Sequence, residues 1–209
     1  MITDTSWFFN NLELKESFCY VRFNDGEMMG INSVGAIAAR GDQYVDSSLR
    51  DYLIKAIKHR QKNYYIGIPC SLCYPRFNKL AESLLGNYSL KTSAVLLTNK
   101  NWKLFYDKFP ISMSKREMIW VSGKDQDPEM LKKYGLNIIK SIRVHNKQSW
   151  SFYKQLKEII PKYLTDNCVV GISLGPTARV LCQQLFQEFP NVTFLDMGSL
   201  LDPVTKNVY

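Results

Sequence analysis

From one end of this sequence to the other, short apolar runs rich in Val, Ile, Tyr and Phe alternate with stretches of helical apolar spacing. Strand-like runs fall at 18–23, 64–69, 94–98, 118–122, 138–144, 168–173 and 192–197, each too short for a helix. Between them Leu49, Leu53, Ile54 and Ile57 repeat at the spacing of one helix face. So do Phe152, Leu156, Ile159 and Tyr163, and again Val180, Leu181, Leu185 and Phe189. This alternation predicts an α/β fold: a mostly parallel open sheet of about seven strands with helices on both faces.

Pro161 falls inside the second stripe, so that helix bends there or ends and restarts, because proline lacks an amide proton and clashes with the preceding turn. No internal repeat, low-complexity tract or Gly/Ser linker interrupts the chain, and residues 1–209 are expected to form a single domain. The polar, turn-rich segments 41–48 and 122–128 are the expected loops at the rim of a site.

The first strand runs into Arg22-Phe23-Asn24-Asp25-Gly26-Glu27, two carboxylates separated by a glycine that lets the backbone turn. In a helix, side chains two apart point to nearly opposite sides, whereas in an extended or turning backbone they can converge on a hard cation. Asp25 and Glu27 are therefore candidate ligands for Mn²⁺ or Mg²⁺, with Arg22 placed to hold a phosphate or pin a carboxylate. The plainer alternative is a simple turn, with Asp25 capping the next helix.

Near the other end, 168–173 leads through Leu174-Gly175 to Pro176-Thr177-Ala178: an apolar strand, a small-residue turn and the start of an amphipathic helix, with Pro176 suited to its first position. Unpaired amides and the helix dipole there would let a phosphate rest against Ser173, Gly175 and Thr177. The following strand ends Asp196-Met197-Gly198-Ser199, at the same edge if the strands are parallel. Any strand-to-helix junction also needs a glycine and a cap, so the turn alone does not establish a ligand.

With 45% hydrophobic and 22% charged residues, the composition is that of a globular protein and excludes a disordered or collagen-like chain. A net charge of +8 favours anionic partners: phosphate-bearing small molecules, nucleic acid or an acidic membrane surface contacted peripherally. The basic residues are spread along the chain and form no polybasic tail, which argues against nucleic acid. No apolar run reaches bilayer length and the N-terminus lacks a signal-peptide pattern, so a cytoplasmic protein with reduced thiols is expected from five cysteines, Cys19, Cys70, Cys73, Cys168 and Cys182. Cys70-Ser71-Leu72-Cys73 has no second pair or nearby histidine for zinc, and no strand-to-helix context of the thioredoxin kind is read around it.

Taken together, Arg22-Phe23-Asn24-Asp25-Gly26-Glu27, Gly175-Pro176-Thr177-Ala178-Arg179-Val180-Leu181 and Asp196-Met197-Gly198 resemble the motifs of the bacterial glycosyltransferase domain of GT-D fold, formerly a domain of unknown function. The resemblance spans most of the chain and implies a Rossmann-like sheet of GT-D type. It also implies transfer of a hexose from a nucleotide-diphosphate sugar, UDP-sugar above all, to a glycan or glycoconjugate acceptor. Asp25 and Glu27 then match the metal-linked Asp-x-Glu motif. Arg22, Ser173, Gly175, Pro176, Thr177, Asp196, Gly198 and Ser199 become the candidate donor-binding residues. Asn24 stands where that family has glycine, Ser199 where it has histidine, and Asp202 one position beyond its final aspartate.

Asp202, Asp196 and Asp125 are the carboxylates available as a general base toward the acceptor hydroxyl, and Asp202 joins Asp25 and Glu27 as the catalytic candidates. Trp102 and Trp150, near loops, could stack on an acceptor, and His59 and His145 are isolated. Two rival readings remain: another Rossmann-like transferase such as a methyltransferase, which would use the same C-terminal turn without needing Asp25 and Glu27 together, and a non-catalytic module that binds phosphates or polyanionic glycans through its basic surface.

Overall fold

The computed structural model describes residues 2–33 and 44–206. The loop expected at 41–48 lies partly outside them. Its described part leads into α3, where the Asp46 carboxylate caps the helix by accepting from the Leu49 amide at 2.7 Å.

Seven strands form one open sheet: β1 (Cys19–Arg22), β2 (Tyr64–Ile68), β3 (Lys91–Ser93), β4 (Glu117–Gly123), β5 (Asn137–Val144), β6 (Val169–Ser173) and β7 (Thr193–Asp196). Their order is β3-β2-β1-β7-β6-β4-β5, and every pairing is parallel. Among the described residues the connecting helices are α1 (Ser6–Glu13), α2 (Asp25–Asn32), α3 (Ser47–Lys58), α4 (Pro75–Leu85), α5 (Trp102–Ser112), α6 (Pro128–Lys133), α7 (Tyr153–Ile159), α8 (Pro176–Glu188) and α9 (Asp202–Thr205). None is long and apolar enough to cross a membrane.

Strand side chains alternate between the two faces and so build two cores. Val21, Ile119, Val121, Val170 and Ile172 pack under α2, α3, α4, α7 and α8. Tyr20, Met118, Trp120, Val169 and Leu195 pack on the other face under α1, α5, α6 and α9. Both faces are covered, as an all-parallel sheet requires.

Two local expectations are corrected. The third strand is not 94–98 but Lys91–Ser93, a polar three-residue edge strand, and 94–98 coils into turns. Leu96 and Leu97 are apolar because they are buried in the second core, not because they join a ladder. Asp25 and Glu27 do not sit in extended or turning backbone: both lie in the first turn of α2. Around Pro161 the stripe ends and restarts, with α7 giving way to a 3₁₀ turn at Ile160–Tyr163.

Candidate active site

The chain runs outward from β1 through β2 to β3, crosses to β4 and β5, and returns through β6 to β7, which lies beside β1. Such a reversal leaves a crevice beyond the C-terminal strand ends, where open α/β sheets bind ligands. A cleft of about 360 Å³ lies there.

Its walls come from both ends of the sequence. Arg22, Asp25 and Glu27 line it from β1 and the start of α2. Ser173, Gly175 and Pro176 line it from β6 and α8, and Gly198, Ser199 and Asp202 from the turn after β7. Two sequence candidates stand behind this lining. Thr177 is fully buried and its hydroxyl pairs with that of Ser149 at 2.9 Å. Asp196 is also fully buried, beneath the floor. Asp125 pairs with Lys206 at 2.9 Å, and Trp150 stacks on Tyr153.

The floor is organised by a residue that stands within the 175–181 motif but is not among the candidate site residues. Arg179, 5% exposed on α8, donates from Nε to the Arg22 carbonyl at 2.7 Å and meets Asp196 Oδ2 at 3.0 Å. Its Nη2 meets Glu27 Oε1 at 3.1 Å, and Nη1 donates to the Gly175 carbonyl. One guanidinium thus ties β1, β7, α2 and α8 together. Burial alone would lower its pKa, but Asp196 and then Glu27 outweigh that and raise it. The sequence signal was a charge embedded in an apolar helix, between Ala178 and Val180-Leu181.

Glu27 is held on both oxygens. Oε1 faces Arg179, and Oε2 accepts from the Asn24 amide at 3.0 Å, closing the helix start as a third-position acid does. Asn24, not Asp25, is the residue before the first helical position. Asp25 is half-buried at the cleft, and among the described residues no hydrogen bond or ion pair reaches it. Arg22 donates from Nη2 to the Met197 carbonyl at 2.8 Å and from its backbone amide to Asp196 at 3.0 Å.

Opposite these, Gln126 from the turn after β4 bridges Ser173 Oγ at 2.9 Å and Asp202 Oδ1 at 2.7 Å. Lys206 holds Asp202 Oδ2 at 3.1 Å. Burial opposes the Lys206 charge, but its hydrogen bond to Asp125 and the Asp202 carboxylate raise its pKa overall. Trp102 and Asn99 complete the wall, with Trp102 43% exposed. Gln126 lies in the 122–128 loop expected at the rim of a site, but as one polar residue in a loop it carried no signal of its own.

Buried polar atoms without a hydrogen-bond partner concentrate here. Of seven such atoms among the described residues, four belong to this site, Arg22 Nε, Asn24 Oδ1, Gln126 Oε1 and Asp196 Oδ1, and the other three are Trp7 Nε1, Trp120 Nε1 and Ser141 Oγ. Since buried polar atoms are normally paired, such a cluster marks a place built to meet a polar ligand or water. The N-termini of α2 and α8 also open onto the cleft and add positive potential.

The chain belongs to the GT-D fold-like domain family, which it matches over residues 8–204. Solved structures agree on the fold. One, described as "The highly conserved domain of unknown function 1792 has a distinct glycosyltransferase fold", superposes with a TM-score of 0.69 at 15% identity, over 92% of this chain and 76% of that one. A selenomethionine-substituted structure of domain of unknown function 1792 gives 0.71 at 13% identity, with the same coverage. No curated protein matches the sequence.

Proposed function

We propose that the protein is a glycosyltransferase that takes a hexose from a nucleotide-diphosphate sugar, a UDP-sugar in the first instance, and passes it to a glycan or glycoconjugate. Family membership and fold support the transferase class. The observation that carries the donor class is the charge layout of the cleft. Arg179 is committed to Glu27 and Asp196, and Lys206 to Asp125 and Asp202, whereas Asp25 is left without a partner among the described residues.

A cleft whose cations are mostly neutralised cannot hold a diphosphate by charge alone. A carboxylate at its mouth with no partner among the described residues would repel one, unless a divalent cation joins the two. Among the described residues no cluster of three or more His, Cys, Asp or Glu could cage a metal. The donor set instead fits an ion of the Mg²⁺ or Mn²⁺ type, which needs only one or two carboxylates and completes its shell with substrate phosphates and water. Asp25 would hold it, while Glu27, two residues on in the same helical turn and engaged on both oxygens, fixes the helix start that presents Asp25, so that the pair expected from the sequence to converge on the ion divides the two tasks. Such an ion supplies charge stabilisation for the departing nucleoside diphosphate.

The chain's own groups divide the remaining work. Arg22, whose Nε stands 4.0 Å from Asp196 Oδ2 with no hydrogen-bond partner, and the helix starts at Asp25 and Pro176 offer donors to phosphate oxygens. Ser173, Gly175, Gly198 and Ser199 shape the backbone-lined slot around the nucleotide. Trp102 presents an exposed ring at the wall for stacking on a base or sugar. Asp202, oriented by Gln126 and Lys206, is the carboxylate we assign as general base toward the acceptor hydroxyl. Asp196, sealed from the cleft by Arg22 and Arg179, positions those two residues.

The test is thermal stabilisation by UDP with and without Mn²⁺, followed by slow hydrolysis of a panel of UDP-sugars. UDP should stabilise the protein only when the metal is present. Asp25→Asn should weaken metal-dependent UDP binding on the order of 10- to 100-fold with little change in the unliganded melting temperature. An equal response to UDP without metal, or an Asp25→Asn variant that binds as wild type does, would remove the reading. Stabilisation by S-adenosyl compounds instead would favour the methyltransferase rival.

A further inference from the structure

Beside this cleft, at the same edge of the sheet, stands a feature the transferase reading does not use. β2 ends at Ile68, and the chain passes through Pro69 into Cys70-Ser71-Leu72-Cys73 before Pro75 opens α4. The pair therefore lies in the turn between a strand and a helix, before the helix begins. The Tyr74 amide donates to the Cys70 carbonyl at 2.9 Å, closing one helix-like turn over residues 70–74. In a turn of that kind residues three apart, here Cys70 and Cys73, have Cα atoms about 5 Å apart, within the separation a disulfide spans.

The Cys73 amide donates to Cys70 Sγ at 3.4 Å. Donation from Cys73, by its backbone amide first and its side chain second, lowers the Cys70 pKa, and the same pairing raises that of Cys73. Both residues are open to solvent, Cys73 fully and Cys70 in part, whereas Cys19, Cys168 and Cys182 are buried. A thiolate-prone, accessible sulfur that accepts from the amide of a second, exposed cysteine three residues on is the arrangement of an attacking and a resolving cysteine.

We propose that Cys70 and Cys73 form a reversible dithiol–disulfide pair that exchanges with small-molecule disulfides. The Cys70 thiolate attacks one sulfur of the disulfide and expels the first thiolate, leaving a mixed disulfide on Cys70. The Cys73 thiolate then attacks Cys70 Sγ, closes the intramolecular bond and expels the second thiolate. Two protein thiols are oxidised, one external disulfide is reduced to two thiols, and the protons released follow the leaving thiolates. The pair sits near the cleft wall: Ile68 pairs with Ser93, whose neighbours Ala94 and Val95 line the cleft.

The experiment equilibrates the full chain in glutathione buffers from fully reduced to fully oxidised, quenches with acid, alkylates and maps the peptides. The expected result is loss of both alkylation sites in the peptide carrying Cys70 and Cys73, in one step, reversed by dithiothreitol, with the three buried cysteines unchanged. In Cys73→Ser the exchange should stop at a glutathione adduct on Cys70. Below the ordinary thiol pKa, iodoacetamide should modify Cys70 ahead of Cys73 in the reduced protein. Both thiols remaining alkylatable in oxidised glutathione, or stable glutathione adducts on either cysteine of the wild type, would overturn the proposal.

Discussion

At the scale of single residues the site depends on Arg179, which neutralises two buried carboxylates, Glu27 and Asp196. Removing one member of a buried ionic network leaves the others unpaired, which typically costs about 3–5 kcal/mol. Arg179→Met is therefore expected to lower unfolding free energy by about that amount in urea titrations and to abolish metal-dependent UDP stabilisation in whatever remains folded. Arg179→Lys keeps the charge but loses the fork that reaches Arg22, Gly175, Glu27 and Asp196 together, so it should fall between wild type and Arg179→Met on both measurements. If the lysine variant were as damaged as the methionine one, charge neutralisation would not be what the residue supplies. Asp25, Glu27 and Arg22 were legible in the sequence because acids beside a glycine at a strand end are conspicuous. Arg179 and Gln126 were not, because their importance lies in partners more than 70 positions away, Arg22 for one and Asp202 for the other.

At the scale of elements the strand ends and helix starts decide where these groups stand. Five of the seven expected strands coincide closely with β1, β2, β4, β5 and β6, and β7 falls within the expected 192–197, since short β-branched runs have few alternatives in an α/β chain. The third failed because a buried turn and a buried strand demand the same apolar residues, while the true edge strand Lys91–Ser93 is too polar and short to announce itself. α2 was misread for a related reason: Asp25-Gly26-Glu27 carries a turn signature, and only the cap at Asn24 and the burial of Met28 and Ile31 make it helical. The turn after β7 is the most constrained of these junctions. Gly198 has φ +47°, and a Cβ there would stand 2.1 Å from Arg22 Nη2. Gly198→Ala should thus cost about 1–3 kcal/mol of stability from backbone strain and displace Arg22 from the Met197 carbonyl. Urea titration would report the first effect. Weaker UDP binding in Mn²⁺, beyond the folded fraction lost, would report the second, and unchanged affinity would mean Arg22 does not touch the donor.

For the whole molecule, the strand order itself makes the site, because placing β7 beside β1 brings Asp196 and Gly198 against Arg22 from opposite ends of the chain. Alternating apolar periods reveal an α/β sheet but not its order, so that juxtaposition was beyond the sequence pattern and came only with the resemblance to a known family. The β1–β7 junction is fastened at both edges by arginines of different character. At the far edge Arg116, 2% exposed, donates to the Asn167 carbonyl at 3.0 Å, the Glu16 carbonyl at 3.4 Å and Thr193 Oγ1 at 3.1 Å. All three acceptors are neutral, and burial pulls its pKa down to about 10, which still leaves it charged at neutral pH. Removing it strands neutral acceptors, at about 1–3 kcal/mol, but also relieves the cost of a desolvated charge. Arg116→Met should therefore destabilise less than Arg179→Met, by about 1–2 kcal/mol in urea. It should also leave metal-dependent UDP affinity of the folded protein unchanged, because the cleft lies at the opposite edge. Calorimetric titration of UDP in Mn²⁺ on both variants separates the two fasteners, and a tenfold loss of affinity in Arg116→Met would show that the far edge of the sheet is coupled to the site.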